Sequence, residues 1–253
     1  MIDLSGKIAV ITGAGGGIGR ELVAVFRAAG AIVAGCDAEI GMTDGLGLAH
    51  RYGFDLTDAN ACTDAVRRIE AEAGPIAIIV NNAGFTRAET LDQVTDQSWE
   101  REIAINLGGA RNLTDRALPA MRQRGAGAIV FISSVNALSH VGNPAYSAAK
   151  AGLLAYARAV AVEYGRDGIR ANCILPGSVI TPAWDHRIAA DPGLVPKVQS
   201  FYPMGRTVSA REVASATLFL ASDWASGVTG VALPVDAGLT AGNMVFIDTV
   251  LRQ

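Results

Sequence analysis

The amino-acid sequence predicts a doubly wound α/β fold, and three observations carry that prediction. Short apolar, β-rich runs alternate with longer stretches of helical spacing along the whole chain. Those runs are continuously apolar, the pattern of parallel strands covered on both faces. The densest glycine cluster, "TGAGGGIG" at 12–19, lies where the first such run gives way to the first helical stretch, a place where such folds turn tightly.

Taken in order, the strands are expected at 7–12 (KIAVIT), 31–36 (AIVAGC), 52–55 (YGFD), 76–80 (IAIIV), 127–132 (GAIVFI), 169–174 (IRANCI) and 231–236 (VALPVD). Helical spacing runs from Gly19 to Ala29, from Asp58 to Ala73 and from Ala145 to Tyr164. The segment "AEIGMTDGLGLAHR" (38–51) is glycine-rich and too short for a full crossover helix, so the second crossover should be reduced. Residues 181–208 hold Pro182, Pro192, Pro196 and Pro203 in one long insertion, which suits a mobile flap over a ligand site. No repeat, low-complexity tract or linker divides the chain, so residues 1–253 read as one domain.

Composition excludes several function classes. Half of the residues are hydrophobic and 18% are charged, ample for a large core, and the net charge is −3. The basic residues are scattered, with no nucleic-acid footprint. Cys36, Cys62 and Cys173 are odd in number and have no metal-ligand spacing, so they read as buried thiols in a reducing compartment and no metal is expected. There is no secretory leader pattern and no apolar run near the roughly 18 residues of a membrane span. The expectation is a cytoplasmic protein without membrane or nucleic-acid partners, acting on a small molecule.

The glycine cluster is not G-x-G-x-x-G, because Ile18 falls where the third glycine would stand. It reads instead as T-G-x-x-x-G-x-G on Gly13, Gly17 and Gly19. Glycines there let the backbone approach a pyrophosphate at the positive end of a helix. Asp37 ends the second strand, 20 residues after Gly17. A carboxylate at that point accepts hydrogen bonds from both ribose hydroxyls of an adenosine and repels a 2′-phosphate. The nearest basic residue downstream is Arg51. NAD is therefore expected over NADP.

Five motifs in order make the chain resemble the short-chain dehydrogenase/reductase family over nearly its whole length. They are Thr12 to Gly19, "NNAG" at Asn81 to Gly84, Asn106 in "IAINLGG", the Y-x-x-x-K of Tyr146 and Lys150, and Pro176, Gly177 and Thr181 in the "PG…T" segment. The resemblance implies a Rossmann-like sheet of seven strands in the order 3-2-1-4-5-6-7, hydride transfer at a nicotinamide, and a homotetramer. It places Asp55 and Leu56 beside the adenine, has Asn82, with Ala83 and Gly84, fix the sheet around the cofactor, and sets Val179 and Thr181 at the nicotinamide carboxamide. It gives Asn106 a proton-relay role next to Lys150.

Oxidising an alcohol requires a base, and a free tyrosine, with a pKa near 10, is a poor one. Lys150 lies one helical turn from Tyr146, where a cation would favour the phenolate. A serine should hold the substrate oxygen. Ser133 stands 13 residues before Tyr146 and Ser134 stands 12 before it. Counting from the tyrosine favours Ser133 and counting from the strand favours Ser134. Ser134 is taken here, with Ser133 as the alternative. Asn136, His140, Asn143 and Trp184 are expected around the substrate, with Asp185, His186 and Arg187 beside the tryptophan. The leading reading is an NAD-dependent dehydrogenase of a secondary alcohol, such as a sugar, polyol or cyclic alcohol. A 3-oxoacyl-thioester reductase and a non-catalytic dinucleotide-sensing regulator stand as the alternatives.

Overall fold

The computed structural model describes residues 1–87 and 90–252. Seven strands form one parallel sheet: β1 (Ile8–Thr12), β2 (Ile32–Asp37), β3 (His50–Gly53), β4 (Ile76–Asn81), β5 (Gly127–Ile132), β6 (Ile169–Pro176) and β7 (Ala232–Val235). Their order is β3-β2-β1-β4-β5-β6-β7, as the resemblance implied. The order reverses between β1 and β4, which opens a crevice at the carboxyl ends of the strands.

Alternation of side chains builds two cores. Ala9 and Ile11 of β1 and Ala128, Val130 and Ile132 of β5 join one face, packed by α1 (Gly17–Ala28) and by α8 (Ala210–Ala221). Ile8, Val10, Ile129 and Phe131 join the other face. That face is packed by α2 (Ala59–Glu72), α4 (Ala110–Arg124) and α5 (Pro144–Tyr164). In chain order α3 (Asp96–Ile103) precedes α4, and α6 (Asp185–Ala190) and α7 (Leu194–Gln199) lie between β6 and α8. All five residues of β1 are buried, which is why it reads as an unbroken apolar run. Side-chain caps fix several helix starts: Asp58 accepts from the Asn60 and Ala61 amides, and Ser209 and Glu212 form a reciprocal box.

The third strand departs from expectation. It covers His50–Gly53 rather than 52–55, pairing His50 with Ala34 and Gly53 with Asp37. As an edge strand it buries only Tyr52 well, so the apolar pattern that locates inner strands is missing. The second crossover is reduced as expected, to a single turn at Ile40–Thr43.

Candidate active site

A cavity of about 1110 Å³ opens at the carboxyl ends of the strands and is lined by residues from β1, β2, β5 and β6 and from the segment that follows β4. One end is built for a phosphate-bearing ligand. Helix α1 begins without a side-chain cap, and Gly17, Ile18 and Gly19 of its first turn line the cavity. Its first amides are thus available to an anion. A Cβ on Gly13 would come 2.9 Å from Ala83 Cα, one on Gly19 2.0 Å from the Gly13 carbonyl, and one on Gly17 2.5 Å from Thr181 Cγ2. At Gly13 and Gly19 the clash is with backbone, so the loop takes glycine there; at Gly17 the Thr181 side chain would have to shift. The Asp37 carboxylate accepts the Gly15 amide at 3.1 Å and lines the same cavity. The nearest basic groups are engaged elsewhere: Arg51 pairs with Asp44, and Arg20 donates to the Gly15 and Met42 carbonyls.

Asn82 holds this end together, donating its Nδ2 to the Thr12 and Gly13 carbonyls at 3.0 and 3.1 Å. The Thr12 hydroxyl accepts the Asn82 and Ala83 amides, both at 3.0 Å. Asp55 accepts the Thr57 amide and hydroxyl, which fixes the turn that presents Leu56 to the cavity. These residues fit a dinucleotide.

The other end gathers the reactive side chains. Tyr146 and Lys150 project from one face of α5, with the Lys150 ammonium 5.3 Å from the Tyr146 ring centroid. Lys150 is buried and donates to the Ile132 carbonyl at 2.9 Å. Desolvation lowers its pKa to about 8. Desolvation also pushes the Tyr146 phenol up to about 12, while the Ser134 hydroxyl beside it pulls the other way. Loss of water, rather than the charge of Lys150, therefore governs the phenol in the free protein.

The serine pair divides cleanly. Ser133 is buried and donates its hydroxyl to the Lys150 carbonyl at 2.8 Å, tying β5 to α5. Ser134 faces Tyr146. Its hydroxyl donates to Asn136 Oδ1 at 3.1 Å and accepts the Asn136 amide at 3.2 Å. Asn136 Nδ2 in turn reaches the Gly142 carbonyl and the Ser147 hydroxyl.

The family model described as enoyl-(acyl carrier protein) reductase matches residues 13–240. An uncharacterized oxidoreductase of Schizosaccharomyces pombe is 38% identical over 254 residues, covering 100% of this chain and 98% of that protein. A galactitol 2-dehydrogenase (L-tagatose-forming) of Cereibacter sphaeroides is 38% identical over 247 residues, covering 94% of this chain and 96% of that one. The crystal structure of a short-chain dehydrogenase/reductase family oxidoreductase from Burkholderia thailandensis superposes with a TM-score of 0.92 at 41% identity, covering 98% of both chains. The chain belongs to the short-chain dehydrogenase/reductase family. It is an oxidoreductase of that family.

Of the site residues expected from sequence, nearly all line this cavity, from Gly13 to Thr181 and including Pro176, Gly177, Val179, Asn136, Asn143 and Trp184. Four do not: Asn106, His140, Asp185 and His186. Asn106 is buried behind the wall, in a π-helical turn (Ala104–Gly109) after α3. There it donates to the Phe85 and Glu102 carbonyls at 2.6 and 2.9 Å and accepts the Phe85 amide at 3.1 Å. A Cβ on Gly84 would lie 2.8 Å from Asn106 Oδ1 and 3.4 Å from Lys150 Nζ, so both residues back onto that glycine. His140 is exposed on the loop before α5 and is no pocket wall. Val141 takes that place, because the chain turns at Gly142 and Asn143, both with positive φ. Beside Trp184, Arg187 lines the cavity, whereas Asp185 and His186 are exposed and do not. Phe85, Arg101, Phe201 and Tyr202 also line the cavity and were not foreseen. Arg101 stands in "SWEREIAIN", where its charge reads as an ordinary solvated helix face.

Proposed function

We propose that this protein is an NAD-dependent oxidoreductase that interconverts a secondary alcohol and its ketone. The observation that carries the reading is the convergence of Ser134, Tyr146 and Lys150 on a cavity whose far end is built from a glycine loop and Asp37. The galactitol dehydrogenase relative supports an oxygen-rich alcohol. NAD, when bound, takes or returns a hydride. The chain's own groups handle the oxygen and its proton. Ser134 holds the substrate oxygen and steadies the charge that develops on it. In reduction Tyr146 gives its phenol proton to the carbonyl oxygen, and in oxidation it passes that proton on towards Lys150 and solvent as it takes the hydroxyl proton. Its raised pKa leaves it a neutral phenol at neutral pH, set to donate. Lys150 supplies positive charge behind the ring below about pH 8. Asn106 backs onto the same glycine as Lys150, and that nearness supports a proton relay running past it.

The test is reduction of NAD and of NADP across secondary alcohols, polyols and sugars. NAD should win by well over tenfold in kcat/KM, and Asp37→Ser should narrow the gap. Equal use of both cofactors would overturn the cofactor assignment. Cofactor binding without turnover of any alcohol, ketone or 3-oxoacyl thioester would favour a dinucleotide-sensing role.

A further inference from the structure

Two guanidinium groups line the cavity, one from the helix before the π-helical turn and one from the flap. Arg101, on α3, sits with its Cζ 4.7 Å from the Phe85 ring centroid. Arg187, on α6 of the flap, sits with its Cζ 4.7 Å from the Trp184 ring centroid. All four side chains line the cavity. The wall that carries Arg101 is anchored at the reactive end: the Phe85 backbone is held by Asn106, which backs onto Gly84 beside Lys150. The wall that carries Arg187 is anchored through Trp184, whose amide donates to the Thr181 carbonyl at 2.8 Å.

The charges along the cavity are unevenly divided. Its lining carboxylates, among the described residues, are Asp37 and Asp55, both at the dinucleotide end and both occupied by local donors. Its lining cations are Arg101, Lys150 and Arg187, all at the reactive end. Elsewhere the arginines of this chain mostly pair with carboxylates or cap carbonyls, as Arg124 does with Glu70 and Arg170 does with the Leu220 carbonyl. Among the described residues no carboxylate forms an ion pair with Arg101 or Arg187. Stacking on a ring fixes the plane of a guanidinium and leaves its in-plane N–H fork open. Such a fork matches the two oxygens of a carboxylate or phosphate.

We propose that the substrate carries an anionic group, a carboxylate or a phosphate, which Arg101 and Arg187 clamp while Ser134 and Tyr146 hold the reacting oxygen. This rests on the oxidoreductase reading and names its substrate class: a compact hydroxy acid or hydroxy phosphate and the corresponding oxo compound. The balance is that of the parent reaction. The carbinol C–H pair leaves as hydride to NAD, the hydroxyl proton goes to Tyr146 as the phenol's own proton passes on to solvent, and the C=O bond forms; the anion itself is unchanged. Because Arg187 belongs to the flap and Arg101 to the fixed wall, one anion touching both would also draw the flap closed.

The experiment compares matched pairs with NAD: lactate against isopropanol, gluconate against sorbitol, and glycerol phosphate against glycerol. At least one anionic member should exceed its neutral partner by about a hundredfold in kcat/KM, mostly through KM, and the carboxylate and phosphate arms say which anion is used. Arg101→Met and Arg187→Met should each cut the anion-to-neutral ratio by about 10- to 100-fold, and the double variant should bring it near one. Arg101→Lys should restore part of it. A separate arm needs no turnover: succinate and glycerol phosphate, added to the NADH complex, should raise the melting temperature of the unmodified protein and not of the double variant. Neutral alcohols or acyl thioesters turned over as well as the anions, with no melting shift, would overturn the proposal and leave the oxidoreductase reading standing. A shift without turnover of any alcohol would do the reverse.

Discussion

Ser133 and Ser134 are neighbours in the chain, yet their hydroxyls point into different surroundings because side chains alternate along β5. Both serines line the cavity, but Ser133 spends its hydroxyl on the Lys150 carbonyl, whereas Ser134 meets Tyr146. Ser133→Ala should therefore cost about 1 kcal/mol of stability with kcat largely kept. Ser134→Ala should lower kcat at least about tenfold, beyond a stability cost of about the same size as that of Ser133→Ala, from its bonds to Asn136. The opposite pattern would assign the substrate oxygen to Ser133. Tyr146→Phe keeps the ring beneath Lys150 and removes the ionisable oxygen, so turnover should fall by at least about a hundredfold while NADH titration shows unchanged binding. Most of these residues were legible because their chemistry depends on identity and spacing: Gly13, Gly17, Gly19, Tyr146 and Lys150 all qualify. His140 was misplaced and Arg101 overlooked for one reason. Which way a loop or helix charge faces is decided by tertiary packing, here by the turn at Gly142 and Asn143 and by the Phe85 ring, and no local pattern records it.

Inner strands announce themselves because burial on both faces demands an apolar residue at every position, and β1, β4 and β5 were readable for that reason. The edge strand β3 was read two residues late because only one side of it is covered. The π-helical turn at Ala104–Gly109 was not legible either; it is an extra residue per turn that swings Asn106 under Phe85, and its energy comes from those side-chain bonds rather than from helix propensity. The long insertion was recognised by its prolines, and its ends are tied down. The Tyr202 hydroxyl accepts the Ser178 amide at 2.6 Å, and Val179 and Val208 form a parallel bridge. Between them lie the short helices α6 and α7, neither of which buries a residue. Such short, exposed helices open at little cost. Amides of α6 and α7 should exchange quickly in the free protein and slow by at least about tenfold when NAD and substrate are both bound, while those near Val179 and Val208 stay slow throughout. Full protection of α6 before any ligand is added would show that this segment is part of the rigid scaffold.

The molecule as a whole buries ionisable groups that do not take part in the chemistry, and their titration sets a ceiling on its alkaline stability. Cys36, Cys62 and Cys173 are all buried in the two-faced core. Desolvation raises Cys62 from 9.0 to about 11 and Cys173 to about 12, and it raises Cys36 as well. From about pH 9 upward the unfolded chain therefore loses thiol protons that the folded chain keeps, so unfolding becomes easier as pH rises. Lys150 acts in the opposite sense. Lowered from 10.5 to about 8, it is neutral in the folded protein and charged in the unfolded chain between those values, so it adds stability as pH rises through that window. Each fully unequal group contributes about 1.4 kcal/mol per pH unit. Between about pH 8 and 9 only Lys150 acts and stability should rise. Above about pH 9 three thiols oppose one lysine, and stability should fall by roughly 3 kcal/mol per pH unit. Tyr52 and Tyr146, each raised to about 12, steepen the fall above about pH 10. Guanidinium unfolding under reducing conditions at half-unit pH steps should thus show a maximum near pH 8 to 9. Cys62→Ala should flatten the descending limb by about one thiol's share, and Lys150→Met should remove the ascending one. A midpoint that stays level across the whole range would mean that the buried thiols and lysine are reached by water in the folded protein, and the dry core inferred around Tyr146 would fall with them.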